Sequence, residues 1–92
     1  MKPEQVLPDD QDKLTIADVT VRKGTVGAFL HNARLLMKND LSEKARRQAE
    51  KDTQELLPAL DALGFFEVLG IRDEILSACI NRLRQAPTEK PA

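Results

Sequence analysis

Residues 26–37 read VGAFLHNARLLM, and this stretch decides the fold class. Its apolar residues recur at the i, i+3, i+4 and i+7 spacing that brings side chains onto one face of an α-helix. The members of this apolar stripe are Val26, Phe29, Leu30, Ala33, Leu36 and Met37. The stripe predicts an amphipathic helix with this face packed inward. Thr25 is the predicted N-cap, and the helix is expected to end near Asn39.

A second, longer helix is predicted up to Gly64. Asp40 is its predicted N-cap, because Asp40 and Glu43 have the spacing of a capping box. The predicted inward positions are Ala45, Ala49, Thr53, Leu56, Leu60 and Leu63. Since this stripe stays in phase through Pro58, we favour one helix that is kinked at Pro58 and ends at Gly64. Two helices, with Pro58 at the start of the second, are the alternative.

A third helix is predicted over residues 71–84. Acidic residues in its first turn and arginines in its last turn match the helix dipole. Its predicted apolar face consists of Ile75, Leu76, Cys79, Ile80 and Leu83. The preceding residues 64–70, GFFEVLG, are predicted to form a compact apolar linker with one helical turn between its two glycines.

Residues 14–22, LTIADVTVR, are the β-like part of the sequence. Apolar residues alternate with threonines, but the alternation slips at Ala17 and Asp18, a poor pair for a tight hairpin turn. Three arrangements stay open: a hairpin packed on the helices, strand pairing across a dimer axis, or an extended coil. The predicted fold class is mainly α: a small three-helix domain with a long middle helix, kinked or split at Pro58, and a short extended or β N-terminal segment.

The two ends of the chain differ in composition from the predicted helical domain between them. Residues 1–13 are acidic and interrupted by prolines, so they are predicted to form a disordered arm, and residues 86–92 a disordered tail. Residues 14–85 are the predicted single helical domain. The sequence shows no secretory-signal pattern and no run of roughly 20 apolar residues, as a membrane-spanning helix would need. We therefore expect a cytoplasmic protein with no membrane partner.

The numbers of charged and reactive residues limit which classes of function the chain can have. The chain has 14 basic and 15 acidic residues, a net charge of −1 at pH 7, so no positive field attracts nucleic acid. It has one histidine, one cysteine, and no tyrosine or tryptophan. The cysteine, Cys79, lies on an apolar helix face, where a thiol is not activated. We expect no enzyme activity, no cofactor and no metal site.

Apolar residues in excess of the predicted core indicate a contact surface. Leu35 lies opposite the stripe of the first helix, and the linker at 64–70 concentrates large apolar residues. Because these side chains cannot all face one small core, we expect a second polypeptide to cover some of them. The predicted interface residues are Val19, Val21, Leu35, Phe65, Phe66, Val68 and Leu69. They favour a non-catalytic protein-interaction module that forms a homodimer or contacts another protein.

A set of basic side chains on the helices provides the alternative function, a weak nucleic-acid-binding or regulatory protein. The predicted anion or nucleic-acid contacts are His31, Arg34, Lys38, Arg46 and Arg47. On the second helix, however, acidic residues interleave with the basic ones, which is typical of a solvated face with ion pairs. Nucleic acid is therefore the disfavoured partner.

Overall fold

The computed structural model describes residue 2 and residues 13–85, and it confirms the mainly helical fold. Two strands and four helices follow one another in this part of the chain. They are β1 Lys13–Ile16, β2 Val19–Arg22, α1 Thr25–Leu36, α2 Glu43–Leu63, α3 Phe65–Val68 and α4 Glu74–Gln85. Apart from Lys2, the predicted arm up to residue 12 lies outside the described residues, as does the predicted tail, 86–92. Lys13, the last residue of the predicted arm, begins β1.

β1 and β2 form an antiparallel hairpin whose turn consists of Ala17 and Asp18. The register places Leu14 opposite Val21, so the apolar residues of both strands share one face. Ala17 and Asp18 have φ angles of 49° and 65°, the positive values that a type I′ turn requires at both central residues. Of the three arrangements left open, the structure has the hairpin packed on a helix, because β2 contacts α2 and Val21 is buried.

The ends of α1 differ from the predicted ones. Gly24, with a φ of 87°, is the N-cap instead of Thr25, because this left-handed conformation suits a residue without a side chain. The hydroxyl of Thr25 donates to the carbonyl of Arg22 at 2.6 Å and so joins the helix to β2. The helix ends at Leu36, before the predicted end near Asn39.

The apolar stripe of α1 is divided between core and surface. Its buried members are Phe29, Ala33 and Leu36, and its exposed members, which we call the α1 outer stripe, are Val26, Leu30 and Met37. The prediction that all six face the core is therefore wrong. Thr25 and Asn32 complete the buried face instead, because α2 covers only one side of the helix.

α2 is one continuous helix through Pro58, as favoured from the sequence, and it ends at Gly64 in a left-handed conformation with φ 77°. Its N-cap is Ser42, whose hydroxyl accepts a hydrogen bond from the amide of Ala45 at 3.2 Å. The predicted N-cap, Asp40, is therefore wrong. The Ser42 hydroxyl satisfies one of the amides that every helix start leaves unpaired.

α2 lies at the centre of the fold, since α1, α3, α4 and β2 all contact it. The core cluster comes from the three longer helices and consists of Phe29, Ala33, Leu36, Ala49, Leu57, Leu60, Leu76, Ile80 and Leu83. Leu57 was not among the predicted inward residues, and Leu63, which was, is exposed. Burying one such aliphatic side chain stabilises the fold by about 1.5–3 kcal/mol, so this cluster is the main source of stability.

α3 is the single helical turn predicted within the linker. α4 begins at Glu74, three positions after the predicted start at residue 71, because the carboxylate of Asp73 accepts from the amide of Leu76 at 2.8 Å. Ile75 is exposed, so its predicted inward position is wrong. It precedes the buried Leu76 by one residue, which on a helix is a rotation of about 100° away from the core.

Candidate functional site

Three phenylalanines form a cluster that joins α1 to α3. The ring centroids of Phe29 lie 5.7 Å from Phe65 and 5.6 Å from Phe66, and those of Phe65 and Phe66 are 5.0 Å apart. All three pairs meet edge to face, an arrangement that aromatic rings prefer. Phe65 and Phe66 are half-buried and pack against the core. These two predicted interface residues are therefore largely used within the chain.

Arg84 of α4 closes this cluster. Its guanidinium carbon lies 5.0 Å from the centroid of the Phe66 ring, within the range of a cation–π contact. The same guanidinium donates two hydrogen bonds to the carboxylate of Asp61, at 2.7 and 2.8 Å. The hydrogen bond to Asp61 raises the pKa of the Arg84 guanidinium above its ordinary value. Arg84 thereby ties the end of α4 to both α2 and α3.

Large apolar side chains are exposed on the segment that runs from α3 into α4. Val68 is 84% exposed, Leu69 52% and Ile75 70%. We call these three residues the connector patch. Val68 and Leu69 are predicted interface residues, and the structure places both at the surface. Ile75 was missed because the sequence analysis assigned it to the inward face of the third helix together with Leu76, whereas the buried face is formed by Leu76, Ile80 and Leu83.

The other predicted interface residues are covered to different degrees by their own chain. Val21 is buried against α2, and Val19 is half-buried on the same face of the hairpin. Leu35 is half-buried and packs against the core cluster, although it lies opposite the apolar stripe of α1. The structure therefore does not bring Val19, Val21 and Leu35 to an open surface together with Val68.

Two of the predicted anion contacts are engaged within the chain. Arg46 donates to the carbonyl of Leu36 at 3.4 Å and to that of Lys38 at 3.0 Å, where α1 ends. Arg47 forms an ion pair with Glu43 one turn earlier on α2, at 2.7 Å. Arg46 thus holds the end of a helix, and Arg47 belongs to a solvated charge pair.

The remaining predicted anion contacts are exposed residues of α1 and the loop after it: His31, Arg34 and Lys38. His31 lies beside a groove of about 380 Å³ between α1 and α2. The groove is lined by Ala28, His31, Asn32, Asp52, Glu55 and Leu56. Its lining contains two carboxylates, so the surroundings of His31 do not have the sign of charge that an anion requires.

The thiol of Cys79 lies within a small charged cluster. Its sulfur is 3.8 Å from Oε2 of Glu50 and 3.6 Å from a guanidinium nitrogen of Arg82, which pairs with Glu50 at 2.8 Å. Partial burial, and then the negative charge of Glu50, raise the pKa of the Cys79 thiol. A raised pKa lowers the fraction of reactive thiolate at neutral pH.

Among the residues that the structure describes, no group of three or more histidine, cysteine, aspartate or glutamate side chains is arranged to hold a metal ion. Within the same ranges, no helix combines the length and the apolar character needed to cross a membrane. Comparison with models of protein families, with curated proteins and with solved structures finds no match to this chain. The geometry of the chain is consequently the basis for inferring its function.

Proposed function

We propose that the protein is a non-catalytic protein-interaction module that forms a homodimer through the connector patch. The observation that supports this is the exposure of Val68, Leu69 and Ile75 on one short segment. Apolar surface in contact with water costs about 25 cal/mol per Å², and contact with a partner removes that cost. A cluster of exposed aliphatic side chains is therefore a favourable place for another polypeptide.

The charges around the connector patch suit a second copy of the same chain. Glu67, Arg72 and Glu74 are exposed on this segment, so it presents both signs of charge. In a two-fold interface each copy meets the same surface, and the arginine of one copy can pair with a glutamate of the other. The net charge of −1 also leaves little overall repulsion between two copies.

The state of the thiol supports the non-catalytic part of this proposal. Cys79 is the only cysteine of the chain, and its raised pKa makes it a poor nucleophile at neutral pH. The basic side chains give the alternative, nucleic-acid binding, less support than the connector patch gives dimerisation. Arg46 and Arg47 are both hydrogen-bonded within the chain, as described above.

Sedimentation equilibrium over a range of protein concentrations tests the homodimer. The chain has a mass of 10.3 kDa, and we expect an average mass that rises towards twice this value. Val68→Asp and Ile75→Asp should each shift the protein to the monomer with an unchanged circular dichroism spectrum, because both positions are exposed. Leu30→Asp is the matched control, an exposed leucine on the α1 outer stripe, and it should leave the dimer intact.

A monomer at every concentration would contradict the homodimer. Dissociation by Leu30→Asp, with no effect of Val68→Asp, would contradict the choice of the connector patch and favour the α1 outer stripe. Leu35→Asp is not a suitable probe, because Leu35 packs against the core cluster. A charge at that position would destabilise the fold itself, so a change in mass would not report on the contact between two folded copies.

A further inference from the structure

The groove between α1 and α2 is lined by both apolar and polar side chains. Ala28 and Leu56 supply apolar surface, and Asn32, Asp52 and Glu55 supply hydrogen-bonding groups. Its volume of about 380 Å³ lies within the range of sites that take small molecules or single side chains. None of the lining residues belongs to the connector patch, so the groove is a separate surface from the proposed dimer interface.

Asn32 is the residue that distinguishes this groove from an ordinary surface depression. The residue is only 9% exposed, yet it lines the groove, and its side-chain amide, which has no hydrogen-bond partner among residues 13–85, is open to solvent there. A side chain held in such a nearly buried position has little conformational freedom to lose when a ligand binds, so its amide is already placed for a hydrogen bond. A ligand that hydrogen-bonds to Asn32 would replace the solvent at this amide.

The carboxylates determine the charge of the ligand. Asp52 and Glu55 bring two negative charges, so the lining stays net negative whatever the charge of His31. Gln48 donates a hydrogen bond of 2.8 Å to one oxygen of Asp52, and the second oxygen of that carboxylate can accept another donor. The groove therefore favours a cation with several N–H donors.

We propose that this groove binds a guanidinium group carried on a short alkyl stem. A guanidinium is planar and has five N–H donors, which match carboxylate and amide oxygens better than the compact ammonium group does. Asp52 and Glu55 accept from it, Asn32 accepts through its side-chain carbonyl, and the stem lies against Ala28 and Leu56. Such a group belongs either to a free small molecule or to an arginine side chain of another protein.

Titration of the full chain with butylguanidinium, followed by amide NMR spectra, tests this proposal. We expect saturable shifts of the backbone amides around residues 28–32 and 52–56, and of the side-chain amide of Asn32. The double variant Asp52→Asn/Glu55→Gln keeps the shape of the groove but removes its charge. It should weaken binding at least about tenfold, the scale of one charged hydrogen bond.

Two controls keep the test specific. Glu43→Gln removes an exposed carboxylate from the same helix, away from the groove lining, and should leave the affinity unchanged. Butylurea has nearly the same shape as butylguanidinium but no charge, and it should not bind. The butylurea control needs no variant, so it holds even if the double variant is less stable.

A second ligand, the tripeptide glycyl-arginyl-glycine, distinguishes the two sources of the guanidinium. Binding of both butylguanidinium and the tripeptide supports an arginine side chain of a partner, and binding of butylguanidinium alone supports a free small molecule. The absence of saturable shifts with either ligand would overturn the proposal. Equal binding of butylurea, or an unchanged affinity of the double variant, would do the same. The mass measurements on the connector patch are independent of all these outcomes.

Discussion

At the scale of single residues, Thr53 is a polar side chain inside the apolar core. It is fully buried, and its hydroxyl has no hydrogen-bond partner among the residues that the structure describes. The spacing of α2 predicted an inward position for Thr53, and this is confirmed. A buried hydroxyl without a partner costs about 1–3 kcal/mol, so the sequence at this position is not optimal for stability.

Thr53→Val should therefore stabilise the protein. Valine has nearly the shape of threonine but no hydroxyl, and we expect the free energy of unfolding to rise by about 1 kcal/mol. Urea denaturation followed by circular dichroism measures this. The matched variant Thr53→Ser keeps the hydroxyl and loses a methyl group, so it should destabilise by about 1 kcal/mol. A less stable Thr53→Val would show that the hydroxyl is satisfied after all.

At the scale of elements, the end of α1 depends on a side chain from α2. The last carbonyls of a helix have no partner within the helix. Arg46 donates one hydrogen bond to the carbonyl of Leu36, the last residue of α1. It donates another to the carbonyl of Lys38 in the loop that follows. From the sequence Arg46 and Arg47 are equivalent basic residues, and only the packing of α2 beside α1 gives them different roles.

Arg46→Ala should lower the free energy of unfolding by about 1 kcal/mol, since it leaves the carbonyls of Leu36 and of Lys38, in the loop after α1, without their donor. Arg47→Ala should change it by less than about 0.5 kcal/mol. The reason is that Arg47 and Glu43 are both 77% exposed, where water and salt screen the pair. Thermal unfolding of the two variants side by side provides the comparison. Equal losses would contradict a capping role for Arg46.

The hairpin shows why the sequence alone left three arrangements open. Ala17 and Asp18 have positive φ angles, which aspartate tolerates but alanine rarely adopts, and glycine is the preferred second residue of such a turn. Local preference therefore argues against this turn. The hairpin forms because burying Val21 and the rest of its apolar face against α2 outweighs the local strain, and this contact joins residues far apart in the sequence.

At the scale of the whole molecule, polar contacts along α4 hold it against α2. Gln54 donates to the carbonyl of Leu83 at 2.8 Å, and two ion pairs lie on the same interface. These pairs are Arg82 with Glu50 and Arg84 with Asp61. The Asp61 pair lies beside Phe66, so it also links α4 to the cluster of phenylalanines.

Asp61→Ala should loosen α4 and lower the free energy of unfolding by about 1 kcal/mol, because a bidentate pair is stronger than a single contact. This value allows for the partial exposure of both side chains. Hydrogen exchange should become faster in residues 74–85. Glu43→Ala removes a carboxylate of α2 that pairs with an arginine of the same helix, and it should leave exchange in α4 unchanged. Unaltered exchange in Asp61→Ala would refute this account of how α4 is held.

The sequence by itself determined the features that depend on neighbouring residues. Helical periodicity predicted a mainly α chain, a long helix through Pro58 that ends at Gly64, and one turn within the linker. These predictions are confirmed because spacing and terminal glycines act over a few positions of the chain. The excess of apolar residues in the linker assigned Phe65, Phe66, Val68 and Leu69 alike to a contact surface, and of these only Val68 and Leu69 are exposed.

Only the tertiary structure decided which side of each helix is covered. The α1 outer stripe has the same periodicity as the buried residues beside it, yet α2 covers only one flank of α1. The groove likewise exists because folding brings His31 and Asn32 beside Asp52 and Glu55. Burial and electrostatic surroundings depend on neighbours that are distant along the chain, and the spacing of residues within one helix does not contain that information.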